Sequence, residues 1–367
     1  MKKKRLPVIG IVLLAIALVI AGGIWYWNTH KKSIIRAELD KAIKHKSDGL
    51  YKIYYDSLEL DEVNGSLSVS SFTLVYDSLK YEQLKNEPKE PYLLFNISIP
   101  QIRMAGIQTP RALIDKEISG RHVTIMNPVI EILYTGKDSS RSLPDKEIYE
   151  QILGDLNLIK FDSVVISGAE IITKDLKTGK TLVRFKNVSL NLLQLAVDST
   201  ASTDTTRILF AKDIEVDCEK FTWQSRNNLY NYQVDSLAMR SATSTVSIKN
   251  LFMIPNLSEN EFVKKVPHQT DRMEIAFHDI QFKSTDFYEL ANEVILTDTL
   301  SVGSATFRIY RDRNMPEDNT NKLGTYPHQL IQKIPVSFEI KKAIIRSASI
   351  EYKEKSSVTH QSGKVQF

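Results

Sequence analysis

The residues best able to do chemistry are scattered rather than assembled. Seven histidines, His30, His45, His122, His268, His278, His328 and His360, lie too far apart in sequence to give two metal ligands at helix or hairpin spacing, and none belongs to an H-E-x-x-H motif. There is no phosphate-cradling lysine loop, no dinucleotide-binding glycine fingerprint and no G-x-S-x-G elbow. The carboxylates alternate with apolar residues, as on the wet face of a strand, and no pair stands out as an acid–base couple. The single cysteine, Cys218, can form neither an internal disulfide nor a cysteine-based zinc site and reads as a small buried hydrophobe. Asp271-Arg272 and Arg311-Asp312-Arg313 read as solvated charge clusters. Nothing here points to an enzyme, a metal or a cofactor. The formal net charge of +4 over 367 residues, with no basic stripe interleaved with aromatics, argues against nucleic acid as a partner.

What the sequence supplies instead is apolar strand surface in a repeated pattern. Ile275, Phe277, Ile280 and Phe282 follow h-x-h-x-x-h-x-h: two apolar residues alternate, the phase slips by one, and two more alternate. Alternation predicts a strand with one face buried, and the slip predicts a β-bulge or tight kink. The pattern recurs at Leu67, Val69, Phe72 and Leu74; at Ile97, Ile99, Ile102 and Met104; at Val123, Ile125, Pro128 and Ile130; and at Ile159, Phe161, Val164 and Ile166. It returns at Val183, Phe185, Val188 and Leu190; at Val246, Ile248, Leu251 and Met253; at Leu300, Val302, Ala305 and Phe307; and at Phe338, Ile340, Ala343 and Ile345.

The spacing of these units reveals a longer period. Leu67 to Val246 is 179 residues, Ile97 to Ile275 is 178, Val123 to Leu300 is 177 and Ile159 to Phe338 is 179. Asp-Ser-Leu occurs in register in YKIYYDSLEL from Tyr51 and YNYQVDSLAM from Tyr230. The chain is thus an internal repeat whose units each bury a face only against a neighbour. The expected organisation is a membrane anchor at 1–32, an amphipathic capping helix at 33–49, a first long repeat at 50–229 and a second at 230–367. The last residues, Gly363–Phe367, match the Val183-Arg184-Phe185 region at an offset of 182, midway through a strand unit, so a continuation of the chain is expected.

The anchor is expected from Leu6–Trp27, 22 residues without a charge, preceded by MKKKR and closed by Trp25-Tyr26-Trp27. As a helix it reaches about 33 Å, enough for a hydrocarbon core. A cleaved signal peptide fits less well, since the apolar run continues past Ala21-Gly22-Gly23. The basic tail favours the N-terminus inside, although Lys31, Lys32, Arg36 and Lys41 weaken the contrast. Ser33–Lys46 reads as an amphipathic helix ended by Gly49. Lys174–Lys180 reads as a hairpin turn in which Gly179 takes positive φ. Val197–Arg207 and Arg311–Tyr326 read as the long loops, and short helices are expected at Asp145–Leu153 and His328–Lys333.

A single-pass span, a short helix ending near Gly49, the unit GSLSVSSFTLVY from Gly65, the run IKFDSVVISGAEIITKD with its KTGK turn and VRFKNVSLNL (Ile159–Leu192), and FEIKKAIIRSASIEYKE (Phe338–Glu354) together resemble the AsmA-like family. That family is related to bridge-like lipid transfer proteins built of repeating β-groove modules. The resemblance implies a mainly β fold: an N-terminal transmembrane helix followed by an elongated, curled antiparallel sheet with a few short helices. It implies residence in the inner membrane of a Gram-negative envelope, with the bulk of the chain in the periplasm. The implied partners are phospholipids, with other envelope proteins possible. It brings no catalytic residue and no cofactor. The expected lipid-lining positions are Leu67, Val69, Phe72, Leu74, Ile97, Ile99, Ile102, Met104, Ile159, Phe161, Val164, Ile166, Val246, Ile248, Leu251, Met253, Ile275, Phe277, Ile280, Phe282, Phe338 and Ile340. The same apolar rows allow an alternative, a sheet that packs on itself as an envelope scaffold with a dry core and no cargo.

Overall fold

The computed structural model describes residues 47, 49–61, 64–85, 90–107, 117–136, 157–198, 204, 206–225, 227–317 and 337–367. The expected membrane anchor, the helix at Ser33–Lys46 and the short helices at Asp145–Leu153 and His328–Lys333 lie outside the described residues. Among the described residues no helix is long and apolar enough to cross a membrane.

The protein is mainly β, with 68% of the described residues in strands of a long mixed sheet. It divides into two compact units, Met1–Asp217 with Arg240–Ala242, and Cys218–Met239 with Thr243–Phe367. The first holds β1 (Tyr51–Tyr54), β2 (Ser57–Asp61), β3 (Ser66–Tyr76), α1 (Ser78–Leu84), β4 (Leu93–Ala105), β5 (Glu117–Met126), β6 (Val129–Tyr134), β7 (Leu158–Asp175), β8 (Thr181–Val197) and the start of β9 (Asp213–Gln224). Its strands pair in the order β1-β3-β4-β5-β7-β8, with β2 also on β3 and β6 on both β4 and β7. The second unit holds nearly all of β10 (Tyr230–Arg240), then β11 (Thr245–Pro255), α2 (Glu259–Lys265), β12 (Arg272–Thr285), α3 (Phe287–Ala291), β13 (Val294–Asp312), β14 (Ser337–Lys355) and β15 (Ser362–Gln366), with the strands paired in that order.

The long period is a period of topology as well as of sequence. Ser66 and Thr245 open β3 and β11, 179 residues apart; Leu93 and Arg272 open β4 and β12, again 179 apart; Leu158 and Ser337 open β7 and β14, 179 apart. In each unit the first pairs are antiparallel, β3 with β4 and β11 with β12. Each then has one parallel junction at the same place, β5 with β7 and β13 with β14. The antiparallel sheet expected from the sequence is therefore mixed. The reason is geometric: parallel neighbours need a crossover of about a dozen residues or more, and both junctions follow long connections, 137–156 and 318–336.

The short helices sit at matching places too. α1 begins after Asp77, whose carboxylate accepts from the Leu79 and Lys80 amides at 2.9 and 3.2 Å. α2 begins after Ser258 in a capping box with Glu261. Such caps satisfy backbone donors that a one- or two-turn helix otherwise leaves open. Each helix buries one aromatic, Tyr81 or Phe262. Burial, reinforced by its bond to Glu90, pushes the Tyr81 hydroxyl up to about 12.

The phase slips are tight kinks in register between neighbouring strands. Ser70 pairs with Gln101 and Phe72 with Ile99, so Ser71 and Pro100 both stand outside the ladder, and Ser71 has φ +53°. In β12 and its neighbours Lys249, Asp279 and Gly303 are passed over together, and Asp279 has φ +51°. Gln194, Asn187 and Ser284 take the same left-handed conformation in β8 and β12. Short polar residues are those that best tolerate this region. A left-handed residue in mid-strand reverses the alternation once, and this returns the next apolar pair to the same face. In β7 the place falls to Gly168, φ +66°, where a Cβ would lie 2.3 Å from the Asn127 Oδ1. Gly168→Ala is therefore expected to lower stability by about 1–3 kcal/mol, from backbone strain plus displacement of Asn127. A urea midpoint unchanged from the parent would show that the kink does not depend on glycine.

Candidate functional site

In the first unit the expected apolar positions meet across the ladders in continuous rows. Leu67 faces Met104, Met104 faces Val123, Val123 faces Val164 and Val164 faces Leu192. The next row runs Val69–Ile102–Ile125–Ile166–Leu190. Phe72 faces Ile99 and Leu74 faces Ile97. Ile159 stands between Ile118 and Val197, and Phe161 between Gly120 and Leu195. A Cβ on Gly120 would lie 2.6 Å from the Phe161 ring, so the absent side chain makes room for it. All twelve expected positions here are buried, from Phe161 and Val164 at 0% exposure to Leu74 at 9%, and they belong to one apolar cluster.

In the second unit the same positions form the same rows but are less covered. The rows run Val246–Phe282–Leu300–Ala343, Ile248–Ile280–Val302–Ile345, Leu251–Phe277–Ala305–Ala348 and Met253–Ile275–Phe307–Ile350. Ile295 faces Phe338 and Thr297 faces Ile340. Of the ten expected positions in this unit, only Ile280 is buried; Phe338 is 40% exposed and the other eight are intermediate. Phe277 and Phe307 touch edge to face, with centroids 5.6 Å apart. Ile345 is 54% exposed and Ile350 41%.

Some residues of these faces were not expected. Phe307 and Ile345 lie in recognised pattern units but were not assigned to the site. Phe221, Trp223 and Tyr232 were missed entirely. Trp223 stacks on Phe221 at 5.4 Å and on Tyr232 at 4.9 Å, making a half-buried aromatic ladder across β9 and β10. The available signal was the alternation Phe221-x-Trp223 after a slip from Cys218, which is itself buried.

Titratable groups gather beside the rows, in pairs. His278 Nδ1 meets Asn250 Oδ1 at 2.7 Å. Asp271 takes both arms of Arg311 at 2.6 Å each, and this bond raises the Arg311 guanidinium further above its ordinary value. The Lys174 ammonium, and the Asn96 amide at 2.8 Å, hold the Glu131 carboxyl below the usual carboxylate range against the opposing effect of burial. Lys341 bonds Asp298 at 2.6 Å, which raises the lysine and lowers the aspartate. These are charge-matched neighbours on adjacent strands, not convergent acid–base groups. Among the described residues no three His, Cys, Asp or Glu side chains are grouped to hold a metal ion. What the arrangement offers is an uncharged apolar surface, sealed in one unit and partly open in the other.

No protein-family model and no curated protein matches the chain. Among solved structures, the sex pheromone precursor from Lactobacillus salivarius subsp. salivarius aligns at 10% identity over 100% of this chain and 92% of that one, with a TM-score of 0.13. A score that low carries no argument about fold or function.

The contrast between the units sets two substitutions against each other. Phe161→Asp places an unpaired charge in a closed core and removes a buried ring, a loss of about 3–5 kcal/mol or more, so it is expected to abolish cooperative unfolding. Phe277→Asp, on the half-open face, is expected to cost about 1–2 kcal/mol and leave a folded protein. Equal losses in thermal unfolding would contradict the difference in cover. Glu131→Gln tests the ion pairing. A folded-state pKa below the unfolded value gives stability that is present above the unfolded pKa and is lost as pH falls through the folded one. The variant is therefore expected to be less stable than the parent by about 1–2 kcal/mol at pH 7, with the gap closing by pH 3 in urea titrations.

Proposed function

We propose that the chain is a non-enzymatic lipid-binding protein of the cell envelope. In this reading it is anchored in the inner membrane by its N-terminal segment and carries phospholipid acyl chains on an apolar β-groove, in lipid transport or outer-membrane homeostasis. The observation that carries the reading is the set of in-register apolar rows in the second unit, uncharged across four strands and only partly covered. Each methylene of an acyl chain removed from water onto such a surface gains about 0.8 kcal/mol, and exposed apolar area on this scale calls for a ligand or partner. The mechanism is passive: tails lie along the rows around Phe277 and Phe307 while head groups remain in water.

The closed cluster of the first unit favours the second reading for that part of the chain, a dry scaffold without cargo. The two readings combine into one molecule, with a sealed unit that supports and a half-open unit that binds. The test is native mass spectrometry with lipid extraction on the full chain, purified in detergent from the envelope of a Gram-negative host. Phospholipid is expected to co-purify, and to fall at least fivefold in a folded Phe277→Asp variant. A folded parent that carries no lipid would overturn the lipid reading and leave the scaffold.

A further inference from the structure

The outer edge of β14 is open along most of its length. On one side β14 pairs with β13 from Ser337 to Lys355. On the other, β15 covers only Glu351–Lys355, with Ile350 and Phe367 exchanging the last two hydrogen bonds. Among the described residues nothing pairs with the Ser337–Ser349 stretch on that side. The aligned strand of the first unit shows what such an edge accepts: β8 runs antiparallel along β7 from Ile159–Val197 to Lys174–Thr181, covering its length. β14 also exposes apolar side chains beside this edge, Phe338, Ile344 and Ile345 at 40%, 37% and 54%.

Charge says more about the occupant. Over Ser337–Ser349 the edge carries Lys341, Lys342 and Arg346 against Glu339, a net of +2. The aligned stretch of β7, Leu158–Glu170, carries Lys160 against Asp162 and Glu170, a net of −1. Two copies of β14 paired with each other would bring like charges together at Lys341 and Lys342, which disfavours a second copy of this edge.

We propose that the β14 edge is a docking site for an extended strand of a partner protein, added antiparallel to β14 beside β15. The strand presents apolar residues in the h-x-h-x-x-h-x-h spacing on the face of the rows, and Asp or Glu on the other face towards Lys342 and Arg346. Main-chain hydrogen bonds to an open edge supply affinity, and alternate side chains supply selectivity. The proposal is independent of whether lipid occupies the rows.

The test uses the full chain in detergent and a synthetic 17-residue peptide of the β8 sequence, Thr181–Val197, with Arg184→Glu and Lys186→Glu introduced. Hydrogen exchange followed by mass spectrometry is expected to show protection of Ser337–Ser349 on addition of the peptide. The acidic peptide should bind at least tenfold more tightly than the unaltered β8 peptide. The Lys342→Glu/Arg346→Glu variant should reverse that preference, and N-methylation of alternate peptide amides should abolish binding. No added protection at saturating peptide would overturn the proposal. So would protection that is already present without peptide and disappears on dilution, since that assigns the edge to a second copy.

Discussion

The structure depends on one constraint: every strand must change phase where its neighbours do. A flat strand with strict alternation would need no such agreement. Here each strand carries apolar pairs separated by two residues, so an ordinary ladder would send the second pair to the wet face. The left-handed residue at each slip corrects this, but only if the adjoining strand gives up its bond at the same level. Ser71 opposite Pro100, and Asp279 beside Lys249 and Gly303, show the correction made jointly. Register, apolar rows and the position of the polar pairs all follow.

The same design appears twice with different consequences. In the first unit the rows are closed into a core of Leu, Ile, Val and Phe side chains with exposures of a few per cent. In the second, side chains of the same types in the same rows are left half open. Charges track the repeat in an altered form: Arg121 and Asp162 occupy the level in the first unit that Asp298 and Lys341 occupy in the second, with the signs exchanged between strands. An exchange of this kind preserves a cross-strand pairing while changing the charge of each strand, and it contributes to the basic character of the β14 edge.

Much of this was legible in the residues. Alternation and the 179-residue offset located the strands, and the offset also carried the order of pairing. The Lys174–Lys180 turn is present, with Gly179 at φ +67°. The parallel junctions were not recognised, because strand residues look alike in either direction. Only the long connections before β7 and β14 hinted at a crossover. Nor could the sequence separate sealed from open rows. Phe161 and Phe277 sit in the same pattern, and what distinguishes them is how much of the folded chain covers each. The aromatic ladder at Trp223 escaped notice because its alternation follows a slip in a strand with only two apolar residues beyond it.

The difference in cover between two chemically equivalent sets of rows is the central claim, and methionine oxidation tests it most directly. Met104 in the first unit is 3% exposed, while Met253, at a corresponding pattern position in the second, is only partly covered. With the full chain under mild peroxide, peptide mass spectrometry is expected to show Met253 oxidised at least tenfold faster than Met104, with lipid slowing the first and leaving the second unchanged. Equal rates at the two positions would contradict the account.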